Sequence, residues 1–145
     1  MTQRKILILC TGNSARSQMA EALVNARRGD WYAVSAGTQP TGQVNPYALR
    51  ALKDIGIDAE NLRSKHVQEF MGHVFDLVIT VCDDANETCP VWLGQGRRVH
   101  IGFPDPAKVT GTDEEIMAAF NTVRDAIEQK IVARLDSLLP SPQNT

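Results

Sequence analysis

The stretch Lys5-Ile-Leu-Ile-Leu-Cys-Thr-Gly-Asn-Ser-Ala-Arg-Ser17 decides how this chain folds. Ile6-Leu7-Ile8-Leu9 has the length and branched content of a fully buried strand, and Ser17-Gln-Met-Ala-Glu-Ala-Leu-Val24 has the composition of a helix start. Cys10 therefore stands at the carboxyl end of a strand and faces a helix N-terminus. The first turn of a helix offers unpaired N–H groups and a partial positive charge, which bind anions and favour thiolate over thiol. Arg16 adds a planar fork of donors suited to a tetrahedral oxyanion. Gly12 permits close backbone approach, Asn13 tolerates left-handed dihedrals, and Ser14 and Ser17 supply hydroxyls that can stabilise a thiolate. The loop Thr11, Gly12, Asn13, Ser14, Ala15 and Arg16 is thus expected to hold an oxyanion against the sulfur of Cys10. The competing reading makes Cys10 a small apolar residue that closes a strand, as many buried cysteines do.

Outward from this loop, strand and helix signals alternate. A first helix is expected from about Ser17 to Ala26. Trp31-Tyr-Ala-Val-Ser-Ala36 reads as a second strand ending at Gly37, with a loop from Gly37 to Gly42. Asn45 caps a helix with Pro46 at its first position, running to about Ile55 and stopped by Gly56. Phe75-Asp-Leu-Val-Ile-Thr-Val81 is a third strand ending at Cys82, and Arg98-Val-His-Ile-Gly102 a shorter fourth. Thr112 or Asp113 opens a long helix with Ile116, Phe120, Val123, Ile127, Ile131 and Leu135 at helical spacing. Such alternation predicts a parallel sheet covered on both faces, with ligands beyond the carboxyl ends of the strands, where Cys10 and Cys82 both fall.

The 145 residues suffice for one domain, expected over 1–139, with a disordered tail over 140–145. Fifteen basic against seventeen acidic groups give a net charge of −2 without any Lys/Arg block, so no nucleic-acid surface is indicated. The four apolar residues before Cys10 are too few for a signal sequence, and no apolar run approaches membrane-spanning length. A soluble, cytoplasmic protein is expected. In a reducing compartment its three cysteines read as reactive rather than structural, and an odd number excludes complete internal pairing.

Cys82-Asp-Asp-Ala-Asn-Glu-Thr-Cys89-Pro90 follows the third strand directly. A disulfide across this polar, helix-compatible spacer requires the spacer to rearrange, because bridged Cα atoms must come within about 7 Å. The pair therefore reads as a redox switch or as two buried cysteines. Zinc is disfavoured, since the spacing is not that of a zinc knuckle and His100 is the only histidine nearby. In Phe103-Pro-Asp-Pro106, prolines flank Asp105 and fix the backbone around a carboxyl able to protonate a leaving oxygen, although Asp and Pro are also ordinary turn residues.

Taken together, the Cys10–Ser17 loop, Asp105-Pro106 and the Cys82/Cys89 pair resemble the thioredoxin-coupled arsenate reductases of the low-molecular-weight protein tyrosine phosphatase-like family, from Lys5 to about Leu139. The resemblance implies a flavodoxin-like α/β domain, a four-stranded parallel sheet with helices on both faces. It implies Cys10 as nucleophile, Arg16 and the loop amides as oxyanion site, Asp105 as acid, and Cys82 and Cys89 as a disulfide shuttle. It also implies arsenate as substrate, phosphate and sulfate as competing oxyanions, thioredoxin as partner, no cofactor, and a monomer. Some of these reductases build a potassium site from the loop Asn, a Glu, a Ser and an Asp. Asn13, Glu21 and Ser35 match, but Lys65 stands at the fourth position, so its ammonium either takes the place of the cation or lies on a solvated surface, and no metal is expected.

The chemistry asks for the same residues, because reducing arsenate takes two electrons and one thiol cannot deliver them and end in a stable closed-shell product. The alternative is a tyrosine phosphatase using Cys10, Arg16, Ser17 and Asp105. Against it, Ala107-Lys-Val-Thr110 follows the Asp-Pro pair with no aromatic residue to stack a tyrosine. A redox sensor built on Cys82 and Cys89 alone leaves the anion loop unexplained.

Overall fold

The computed structural model describes residues 3–83 and 91–139. Four parallel strands, β1 (Arg4–Cys10), β2 (Trp31–Gly37), β3 (Leu77–Thr80) and β4 (Arg97–His100), form one sheet in the order β2-β1-β3-β4. Ile6, Leu7, Ile8 and Leu9 are all fully buried, as a central strand of a two-sided sheet must be. From β1 the chain first adds β2 on one side and later β3 on the other. The strand order therefore reverses at β1, and the crevice at its carboxyl end falls beside Cys10.

Helices α1 (Arg16–Arg27), α2 (Pro46–Lys53) and α3 (Asp113–Lys130) share one hydrophobic core with Ile6, Ile8, Leu77 and Ile79. Thr112 closes a capping box with Glu115 and starts α3, while Asn45 caps α2 through Tyr47 N. Two ends differ from the expected ones. Instead of reaching Ile55, α2 stops at Lys53, where tight turns lead into Gly56 at φ +80°. Nor does α3 run on to Leu135, because after Lys130 the chain tightens into a 3₁₀ turn (Val132–Arg134) and the short α4 (Leu135–Leu138). Beyond that change Ile131, Val132 and Leu135 all lie in the core.

On the opposite face, Leu7, Leu9 and Val78 pack with Ala36, Phe75 and Trp92. Among the described residues the helical cover on this side is a single 3₁₀ turn, Val67–Phe70, rather than an α-helix. Its place is taken by aromatic side chains: Phe75 meets Phe70 and Trp92 edge-on at 6.2 and 5.8 Å. No helix among the described residues is long and apolar enough to cross a membrane.

Candidate active site

Cys10 ends β1 opposite Gly37 of β2, is 2% exposed, and carries a free thiol. Only glycine fits opposite it, since a Cβ at Gly37 would collide with the carbonyl of Thr11 and come within 2.9 Å of that of Cys10. The chain then turns through Asn13, the one described non-glycine residue with positive φ (+46°), into α1.

Donors from elsewhere in the chain take the carbonyls of this turn. Gln39 N reaches Thr11 O (2.9 Å), Thr41 N reaches Gly12 O (3.0 Å), and Asn45 N reaches Ser14 O (2.9 Å). Gln18 Nε2 takes Asn13 O (3.0 Å), and Ser64 Oγ adds a second contact to Gly12 O (3.3 Å). Peptide planes whose carbonyls face outward turn their N–H groups inward, as Asn13 N does, 3.3 Å from Cys10 Sγ. Ala15 at the N-cap of α1 supplies no capping side chain, and the first turn holds no acidic residue. Helix N–H groups there suit an anionic ligand.

Behind the sulfur lies a polar chain. Ser17 Oγ is 2.9 Å from Cys10 Sγ, and Asn13 Nδ2 donates to Ser17 Oγ (2.8 Å) and Ser35 Oγ (2.9 Å). Ser35 donates to Glu21 Oε1 (2.8 Å). Lys65, only 6% exposed, places Nζ 3.3 Å from Glu21 Oε1 and donates to Arg63 O at 2.8 Å. An ammonium thus sits among the residues that matched a potassium site. A second cation beside it would be repelled, so these donors do not fit a metal ion.

Arg16 is 4% exposed, donates through Nη1 to Phe103 O (3.1 Å), and approaches Asp105 Oδ2 through Nη2 at 3.6 Å. Asp105 combines both roles read from the sequence. Oδ1 accepts from Ala107 N (3.0 Å) and caps the 3₁₀ turn Pro106–Lys108, leaving Oδ2 toward Arg16. A buried guanidinium and a carboxyl poised on the same space suit binding and protonation of an oxyanion.

Cys82 follows β3, where Val81 N donates to Leu9 O (2.9 Å) and so brings the end of β3 against the end of β1. It is fully buried and disulfide-bonded. Cys89, most of the spacer before it, and the tail over 140–145 lie outside the described residues. The structure thus brings Cys10, the loop 11–16, Ser17 and Asp105 together, with Cys82 at the neighbouring strand end. Sequence reasoning missed the outer brace, namely Gln18, the backbone of Gln39, Thr41 and Asn45, and Ser64. Only Gly37 and the turn-rich run to Gly42 hinted at it.

This arrangement, the loop from Cys10 to Arg16 at the switch point of a parallel sheet with Asp105-Pro106 across from it, coincides with what comparison with known proteins finds. Residues 5–141 match the family described as low molecular weight phosphotyrosine protein phosphatase, and the chain belongs to that family. Within it, the chain is 46% identical over 132 residues to the arsenate reductase of Halalkalibacterium halodurans and 43% identical over the same length to that of Bacillus subtilis. Each alignment covers 90% of this chain and 94% of the relative. A solved arsenate reductase in the phosphate-binding state superimposes with a TM-score of 0.76 at 27% identity, over 95% of this chain and all of that one.

Proposed function

We propose that this protein is an enzyme that reduces arsenate to arsenite through a Cys10 adduct and a disulfide relay, regenerated by thioredoxin. The observation that carries the relay is the second buried cysteine at the neighbouring strand end. Cys82 is disulfide-bonded while Cys10 is free, a division that ester hydrolysis has no use for. The arsenate reductases at 46 and 43% identity support the choice of substrate.

Arsenate is held by the loop amides and Arg16, as phosphate and sulfate would be in competition. Cys10 thiolate attacks arsenic, and Asp105 protonates the departing oxygen. Cys82 thiolate then attacks Cys10 sulfur. The electron pair of the sulfur–arsenic bond passes to arsenic, arsenite leaves, and a Cys10–Cys82 disulfide remains. Attack of Cys89 on Cys82 frees Cys10 and leaves Cys82–Cys89, which the dithiol of thioredoxin reduces. A free Cys10 beside a bonded Cys82 is the state expected at the end of this sequence. The chain needs no cofactor for it and works as a cytoplasmic monomer.

The test measures thioredoxin-dependent NADPH consumption with arsenate and p-nitrophenyl phosphate hydrolysis by one preparation. Arsenate-dependent consumption that stops without thioredoxin is expected. Efficient ester hydrolysis with no arsenate-dependent consumption would make the protein a phosphatase.

A further inference from the structure

The polar chain behind Cys10 has a direction, and its side-chain anchor is Gln18, the third residue of α1. Gln18 is fully buried. Its Nε2 lies 2.7 Å from Arg63 O, 3.0 Å from Asn13 O and 2.9 Å from Asn13 Oδ1. Two of these are backbone carbonyls, which only accept, so the nitrogen end of the amide is fixed there. Gln18 Oε1 is left buried without a hydrogen-bond partner. Such an atom is costly, and turning the amide to relieve it would set oxygen against three acceptors.

Asn13 is oriented by the same logic. Its Oδ1 accepts from Gln18 Nε2 and from the backbone N–H of Lys65 at 2.8 Å. Nδ2 therefore faces Ser17 Oγ and Ser35 Oγ, with one hydrogen for each. Ser35 sends its own hydrogen to Glu21 Oε1. Ser17 Oγ has already accepted from Asn13, so its hydroxyl hydrogen is available to Cys10 Sγ at 2.9 Å. An inverted Asn13 amide would reverse every step: Oδ1 would take the Ser17 hydrogen, and the sulfur would have to donate.

We infer that Gln18 is a positioning residue that, with the backbone N–H of Lys65, sets the polarity of the Asn13–Ser17–Cys10 chain, so that Ser17 donates to the sulfur and favours attack by Cys10. The inference rests on Cys10 being the nucleophile of the proposed reaction. Gln18 touches no reacting atom and acts only through Asn13 and Ser17.

The experiment follows iodoacetamide alkylation of Cys10 in the reduced full-length protein from pH 4 to 10, read by mass spectrometry on the tryptic peptide of residues 6–16, which contains Cys10 alone. Gln18→Met removes the donor at similar volume. It should still fold, because Lys65 Nζ keeps Arg63 O satisfied and Lys65 N keeps Asn13 Oδ1 satisfied. The expected result is a rise of about one unit in the pH midpoint of alkylation and an about tenfold fall in kcat with little change in KM, the scale of one lost hydrogen bond to a charged group. Gln18→Glu, which sets an acceptor against acceptors, should shift the midpoint at least as far. In a Ser17→Ala background, Gln18→Met should add no further shift, because the link it acts through is gone. A midpoint unchanged in both Gln18 variants, or an equal shift with and without Ser17, overturns the inference. Cys10 unreactive in the unsubstituted protein would instead overturn its role as nucleophile.

Discussion

Two adjacent strands, β1 and β3, each lead to a buried cysteine, and the described chain that follows each is different. After β1, the carbonyls of Thr11, Gly12, Asn13 and Ser14 are taken by donors from other parts of the chain, and Asn13 is fixed in the left-handed region. After β3, Cys82 is as deeply buried as Cys10, but the described chain resumes with Val91 at 77% and Leu93 at 84% exposure, two apolar side chains in water. The contrast follows from what each sulfur must do under the proposed reaction. A nucleophile that meets one anion in one geometry gains from a frozen loop. A relay sulfur must meet two different sulfurs in turn, so under the proposed reaction it has two geometries to satisfy rather than one.

The largest expected effect comes from removing the fixed sulfur. Cys10→Ser should abolish turnover, because a hydroxyl cannot replace the thiolate as nucleophile. Residual arsenate reduction by this variant would make Cys10 structural and dissolve the contrast. The second sulfur fails differently. Cys89→Ser should reduce one equivalent of arsenate and stop with a Cys10–Cys82 disulfide, whereas Cys82→Ser should release no arsenite by its own thiols. Peptide mapping after a single turnover distinguishes the two, and a Cys10–Cys89 bond in the unsubstituted protein would reverse the order assigned to the relay.

Next in size is Arg16→Lys. An ammonium cannot reproduce a planar fork held by Phe103 O and facing Asp105, so kcat/KM with arsenate should fall about a hundredfold, or about 2.7 kcal/mol of transition-state stabilisation. Steady-state kinetics with arsenate measure it, and a change under about threefold would place Arg16 outside the oxyanion site.

How far the sequence carried this reading depended on whether a signal was local. Cys10 and Arg16 were legible because a buried strand, a glycine and a helix start follow one another without interruption, and local order there is the tertiary order. The ends of α2 and α3 were not, because apolar spacing continues past Lys53 and Lys130 and only packing decides where the chain tightens. The 3₁₀ turn and aromatic cover on the second face were missed for a related reason. Phe70, Phe75 and Trp92 are far apart in sequence and form no periodic pattern. Lys65 shows a partial success: the sequence could set its ammonium against Glu21 or in solvent, and the fold buries it beside Glu21. Gln18 carried no signal at all, since a polar residue early in a helix looks solvent-facing until the loop folds over it.

The difference between the two strand ends can be measured with a matched pair of glycines. A methyl group at Gly37 would strike the carbonyl of Thr11 and crowd that of Cys10, backbone on both counts, so the anion loop must shift to admit it. A methyl group at Gly102 would meet Cys82 O and the His100 ring nitrogen at 3.0 Å, a milder intrusion in which the ring can move. Gly37→Ala should therefore cost about 1–3 kcal/mol of stability and at least about tenfold in kcat/KM. Gly102→Ala should cost clearly less in both. Equal losses in urea titrations and arsenate kinetics would mean that the β1 loop is no more rigid than its neighbour.

The smallest effect lies on the helical side, away from both sulfurs. Asp113 opens α3; the Tyr47 hydroxyl and then Arg50, at 3.1 Å, hold its carboxyl below the usual carboxylate range, while the same carboxylate pushes the Tyr47 phenol up. A carboxyl lowered in the folded protein contributes stability that is present above its unfolded value and lost as pH falls through the folded one. Asp113→Asn should therefore lower the urea midpoint slightly at pH 7, and the difference should shrink as pH falls below the usual carboxylate range and the native carboxyl takes up its proton. The effect stays small because the side chains of Asp113 and Arg50 are 58% and 56% exposed and water screens the pair. Cys10 alkylation should not change in this variant, since no polar contact among the described residues links Asp113 to the loop. A shifted alkylation profile would show that the helical scaffold tunes the nucleophile electrostatically, and the contrast between the strand ends would then extend beyond the local brace.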